Sequence, residues 1–139
     1  MKKRFFLEGM SRDRFEDELL NFLEIKKGQG RASVFVLIRE VVKNIYQHAD
    51  GKGKVLVSIN RAGILCFIAR DFGTAAFDLA EIKRHGSTKM GNGENYGFGL
   101  CGGMIEMTAQ DLHMRLRIDT SRGFYYRGHC RLETAATKT

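Results

Sequence analysis

Proline is absent from the 139 residues, and nothing about function follows from that absence alone. Cysteine is scarce. Cys66, Cys101 and Cys130 are far apart, odd in number and without C-x-x-C spacing. That pattern speaks against a disulfide framework and a zinc site, and buried free thiols are expected. No apolar run approaches the roughly 18 residues that a membrane helix needs. The start, Met1-Lys2-Lys3-Arg4-Phe5-Phe6-Leu7-Glu8, is basic at its front, but Glu8 breaks it before an apolar signal core can form. A cytoplasmic location is the default expectation. A basic stripe with interleaved aromatics is also missing: the cations are scattered, with short groups at Lys2 to Arg4, at Lys26 and Lys27, and at Arg115 and Arg117. The net charge of +7 then suits solubility and attraction for a polyphosphate or an acidic protein, and nucleic acid is disfavoured.

What is present describes an ordinary soluble chain. The apolar share is 43% and the charged share 28%, with enough length for one domain and a core without staples. Residues 4–8 predict a short strand. Ser11 is a candidate N-cap for a helix reaching Lys27, with Phe15, Leu19, Phe22 and Leu23 at helical spacing. Gly28-Gln29-Gly30 is expected to break it. A second helix, about Ala32 to Ala49, carries Val34, Leu37, Ile38, Val41 and Ile45 on one face. Two strands, Lys54–Asn60 and Gly63–Arg70, meet at a tight turn. The first alternates; the second, Ile64 to Ile68, is continuously apolar, as in a central strand. A short helix near Phe77–Arg84, a loop from Gly86 to Tyr96, and a helix from about Gly97 to Ala109 follow. Strands Leu112–Asp119 and Phe124–Leu132 close the chain, with a frayed tail at 133–139. The order β-α-α-β-β-loop-α-β-β predicts an α+β two-layer sandwich: a mixed, largely antiparallel sheet covered on one face by about three helices. The whole chain reads as one domain, with a core of about residues 31–132 and residues 1–30 as an added strand and helix.

Three stretches carry candidate chemistry. Glu40, Asn44 and His48 recur every four residues, one helical turn apart, beside the apolar row. An amide oxygen suits Mg²⁺ where phosphates supply most of the charge, a carboxylate can orient or deprotonate a nucleophile, and a histidine can donate to phosphate. The plain alternative is the solvated side of an amphipathic helix. Asp71-Phe72-Gly73 ends the apolar strand. There the carboxylate can accept from an exocyclic amine and the glycine lets a flat ring approach; the alternative is an ordinary turn. Gly91 to Leu100 is glycine-rich and leads into a helix whose first N–H groups can hold phosphate. Ser87, Thr88 and Lys89 stand just upstream. This is not a P-loop, and the formal G-x-G-x-x-G from Gly97 to Gly102 does not follow a strand.

Taken in order, these stretches resemble the GHKL superfamily of ATPases and kinases, which includes gyrase, a heat-shock chaperone, histidine kinases and mismatch-repair proteins. The Glu40–Asn44 helix resembles the family's N box, and Asn44-Ile45-Tyr46-Gln47-His48-Ala49 is similar to the form found in anti-sigma-factor serine kinases. Asp71-Phe72-Gly73 resembles the D-x-G-x-G box, with Ala75 in place of the second glycine. Gly97-Phe98-Gly99-Leu100 resembles the G-x-G-L box. The likeness spans about residues 31–132.

The resemblance implies a Bergerat-type ATP-binding fold. It implies ATP and Mg²⁺ as ligands, Asn44 as the metal residue and Glu40 as the base or orienting group. Asp71 and Gly73 would shape the adenine pocket. His48, Thr88, Lys89, Gly97, Phe98, Gly99 and Leu100 would contact the nucleotide. Phosphoryl transfer relies mainly on such positioning and electrostatics. The implied function is a small stand-alone serine/threonine kinase of anti-sigma-factor type, with a protein as phosphoryl acceptor. Two alternatives stay open: the catalytic module of a histidine kinase whose acceptor His lies on another chain, and a non-catalytic nucleotide-binding regulator. Homodimer formation is also open.

Overall fold

The computed structural model describes residues 1–48, 52–72, 88–89, 95–96, 104–121 and 123–132. Strand β1 is Lys2–Phe6 and helix α1 is Arg12–Leu23. Ser11 is the N-cap of α1, its hydroxyl accepting from the Arg14 N–H at 3.1 Å. Phe15, Leu19 and Leu23 are buried along one side of the helix. The helix ends earlier than the glycines suggest. Glu24 adopts a left-handed conformation, φ 49°, with its N–H donating to the Leu20 carbonyl. A 3-10 turn, Ile25–Lys27, follows, and Gln29 and Gly30 already belong to α2, Gln29–His48. The Arg31 guanidinium reaches back to the Leu23 carbonyl at 2.7 Å, satisfying an orphan acceptor at the end of α1.

Helix α2 is the central element of the helical layer. Val34, Leu37, Ile38, Val41 and Ile45, the row read from spacing, are fully buried. Burial of each such side chain stabilises by about 1.5–3 kcal/mol. The Phe5 ring of β1 meets the Phe15 ring of α1 edge-on at 4.9 Å, joining sheet to helices. The Tyr46 hydroxyl donates to the Met10 carbonyl and tethers α2 to the β1–α1 connection.

The remaining elements are β2 Gly53–Ile59, β3 Ile64–Asp71, a two-stranded pair β4 Thr88–Lys89 and β5 Asn95–Tyr96, helix α3 Met104–Asp111, β6 Arg115–Asp119 and β7 Tyr125–Arg131. The main sheet has five strands in the order β1-β2-β3-β7-β6, and every paired strand is antiparallel. With three helices on one side, the protein is an α+β two-layer sandwich. The apolar run Ile64 to Ile68 does mark the central strand. Only alternate residues, Leu65, Phe67 and Ala69, are fully buried, because helices cover one face. The β2–β3 turn is held by Asn60, whose side-chain oxygen accepts from the Ile64 N–H at 2.9 Å. Cys130 is buried and Cys66 half-buried, both as free thiols. Cys101, Ala75, the helix expected near 77–84, the start of the third helix at 97–103 and the tail lie outside the described residues.

The register sorts side chains by face. Phe5, Val55, Val57, Phe67, Ala69, Tyr126 and Cys130 point to the helices. On the other face, one row runs Lys2, Ser58, Cys66, His129, Arg115. The next runs Arg4, Leu56, Ile68, Arg127, Arg117. A third runs Phe6, Lys54, Arg70, Tyr125, Asp119.

Candidate functional site

Asn44 lies on α2 one turn beyond Glu40 and three residues after Val41, so helical geometry sets it at the margin of the core-facing row. It is 4% exposed, which excludes the solvated-side alternative for this residue. Its amide Nδ2 donates to the Tyr126 hydroxyl at 3.0 Å, a bond between residues 82 apart in sequence. A buried amide without such a partner costs about 1–3 kcal/mol.

Asp71 closes β3 on the same face, two residues past Ala69, and is 3% exposed. Its backbone N–H donates to the Phe124 carbonyl at 3.0 Å, and its carboxylate Oδ2 accepts from the Phe124 N–H at 2.8 Å. The carboxylate therefore continues the β3–β7 ladder by one side-chain rung. Gly123 makes room for it: at φ +75° a Cβ there would stand 1.9 Å from Asp71 Oδ1. Left-handed backbone and direct contact with the carboxylate both demand glycine. The turn leading in is set by Asp119, whose Oδ1 accepts from the Ser121 N–H at 2.8 Å and its hydroxyl at 2.7 Å. Those two bonds lower the Asp119 pKa.

The Phe124 and Tyr126 rings stack at 5.7 Å with an interplanar angle of 12°, and this short stretch leading into β7 serves both Asp71 and Asn44. Burial pushes the Tyr126 pKa well above its ordinary 10.0; the Asn44 hydrogen bond opposes the rise, and the negative charge of Asp71 adds to it. The hydroxyl thus stays protonated at neutral pH beside a buried amide and a buried carboxylate. Such a set offers acceptors for an amine and an amide to a hard cation, which fits an adenine nucleotide with Mg²⁺ chemically.

Glu40 is half-buried and sits between cations, 3.5 Å from Lys43 Nζ and 3.8 Å from Arg39 Nε. His48 is the last residue of α2. Thr88 and Lys89 form β4, paired with Tyr96 and Asn95 of β5. Gly73, Gly97, Phe98, Gly99 and Leu100 lie outside the described residues. Tyr126 and Phe124 were not singled out from the sequence. Alternation along Phe124–Leu132 was the available signal, since it sets Phe124, Tyr126 and Cys130 on one face. A cavity of about 520 Å³ between α3 and β6, lined by Ile105, Glu106, Ala109, Gln110 and His113 among others, contains none of Asn44, Asp71, Phe124 and Tyr126. Groups of three or more metal-capable side chains are absent among the described residues, and no described helix is long and apolar enough to cross a membrane. Comparison of the sequence with protein-family profiles and with curated proteins gave no match.

Proposed function

We propose that this chain binds Mg²⁺-ATP and transfers a phosphoryl group to a protein, in the manner of a small serine/threonine kinase of anti-sigma-factor type. One observation carries the proposal. Asn44 and Asp71 belong to two separate motifs of the GHKL resemblance, and both are buried and hydrogen-bonded to one short segment at the start of β7, at Tyr126 and at Phe124 just before the strand. A helix amide and a strand-end carboxylate converging on one place is what a nucleotide site of that family requires.

When bound, Mg²⁺-ATP supplies the phosphoryl group and the charge that its transfer must neutralise. The chain's own residues have distinct tasks. Asp71, fixed by the Phe124 N–H, accepts from the adenine amine. Asn44, oriented by donating Nδ2 to Tyr126, would hold the cation through its carbonyl oxygen. Glu40, one turn earlier, orients or deprotonates the acceptor hydroxyl, with Lys43 and Arg39 as its neighbours. The resemblance assigns phosphate binding to Gly97-Phe98-Gly99-Leu100, which lies outside the described residues, and to Thr88 and Lys89.

The test is a calorimetric titration with ATP, with and without Mg²⁺. Asp71→Asn, close to isosteric, is expected to weaken ATP about tenfold and to erode the preference for adenine over guanine. Asn44→Ala is expected to abolish the Mg²⁺ dependence. Parent-like binding by both variants, or no binding by the parent, rejects the site. Labelled ATP mixed with candidate acceptor proteins then tests transfer to a Ser or Thr hydroxyl.

A further inference from the structure

Cations that are scattered along the sequence are gathered on one surface by the fold. The three rows of the sheet face that turns away from the helices hold seven lysines and arginines against one carboxylate, Asp119. Most of the chain's net +7 therefore resides there. None of these seven lies within ion-pair distance of a described carboxylate. Several cations of the helical layer and the strand edge are paired, as in Arg14–Glu18 at 2.9 Å, Lys3–Glu18 at 3.3 Å and Lys43–Glu40 at 3.5 Å. The one acid on the face is itself occupied by Ser121.

The middle of this face is not charged. Leu56 and Ile68 pair across β2 and β3, half-buried, with Arg4 on one flank and Arg127 on the other. A groove of about 430 Å³ runs over them, bordered by Phe6, Lys54, Arg70 and Tyr125. Phe6 is 63% exposed. An aliphatic centre ringed by arginine and aromatic side chains is the composition of a protein-binding hot spot.

Charge and geometry choose the occupant. A second copy would set like charges face to face. Single-stranded nucleic acid wants a run of adjacent aromatic platforms, whereas Phe6 and Tyr125 are separated by Lys54 and Arg70, three strand spacings or about 14 Å. We propose that the open sheet face docks an acidic protein partner, with carboxylates against Arg4, Arg70 and Arg127 and an apolar side chain over Leu56 and Ile68. This face is on the reverse of the sheet from Asn44, Asp71 and Tyr126, so the inference does not depend on the nucleotide reading.

Fluorescence anisotropy tests it on the full chain with three labelled probes: a glutamate–tyrosine copolymer, polyglutamate and single-stranded oligothymidylate. The copolymer is expected to bind at least about tenfold tighter than either other probe. Arg70→Glu with Arg127→Glu is expected to weaken it by about tenfold or more. Lys26→Glu with Lys27→Glu, exposed and equal in charge change, is expected to leave it within about twofold. Leu56→Ser is expected to lower copolymer affinity and leave any polyglutamate binding unchanged, and Asp71→Asn to change neither. Tighter binding of oligothymidylate, equal losses from the two double reversals, or no binding of the copolymer overturns the proposal.

Discussion

The two faces of the sheet are built by alternate residues of the same strands, yet they solve opposite problems. Arg70 is exposed and Asp71 is buried; Tyr125 borders the open groove and Tyr126 is sealed beneath the helices. On the covered face, polar groups are few, and Asn44, Asp71 and Tyr126 each have a defined partner, because an unpaired amide or carboxylate in the interior is costly. On the open face, the seven cations lie beyond ion-pair distance of the described carboxylates, which water allows at little cost. The difference teaches where specificity is held. The covered face depends on geometry to a fraction of an ångström, and the open face on charge and composition.

The strongest way to break this contrast is Gly123→Ala. A Cβ would meet Asp71 Oδ1 at 1.9 Å on left-handed backbone, and a loss of roughly 3 kcal/mol is expected. Urea unfolding measures it. A loss below about 1 kcal/mol would mean that the turn relocates and that Asp71 is not held by it.

Next in size are Tyr126→Phe and Asn44→Ala, each expected to cost about 1–3 kcal/mol by stranding its buried partner. The double variant should cost less than the sum, with coupling of about 0.5 kcal/mol or more. Additive losses would show that the 3.0 Å bond between them carries no net stability. The same residue sets an alkaline limit. The folded state raises the Tyr126 pKa above the ordinary 10.0, so its stabilisation is fully present below pH 10 and is lost as pH rises through the folded value. Tyr126→Phe is expected to flatten stability against pH above 10 without levelling it, since burial raises Tyr46 in the same direction. An unchanged slope would contradict the shift.

The smallest effect belongs to the open face. Arg127→Glu is expected to alter stability by no more than about 0.5 kcal/mol, measured by thermal unfolding at low and high salt. Raising salt is expected to stabilise the parent slightly by screening repulsion among the face's cations. A large loss would reveal that this face is structural.

Much of the architecture was legible. Periodicity gave the buried row of α2, Ser11 gave the start of α1, and the continuous run Ile64 to Ile68 gave the central strand, because each depends on neighbours within a few residues. The end of α1 was misread. The glycines at 28 and 30 suggested the break, but Glu24 takes the left-handed turn and Gln29 and Gly30 join α2. Asn44 was legible as a candidate by spacing, though not its burial. Its partner Tyr126 lies 82 residues away, beyond any local signal.

By itself, then, the sequence determined the main helices and strands among the described residues, their order and the layer they form, since hydrophobic period and capping are local; the β4–β5 pair, in a stretch read as a loop, was not legible. Only the tertiary structure decided that Asn44 and Asp71 share the stretch Phe124–Tyr126 leading into β7, and that dispersed arginines become one surface. Both outcomes come from strand register. Register joins distant residues and, with a side-chain period of two, sends neighbours such as Arg70 and Asp71 to opposite faces.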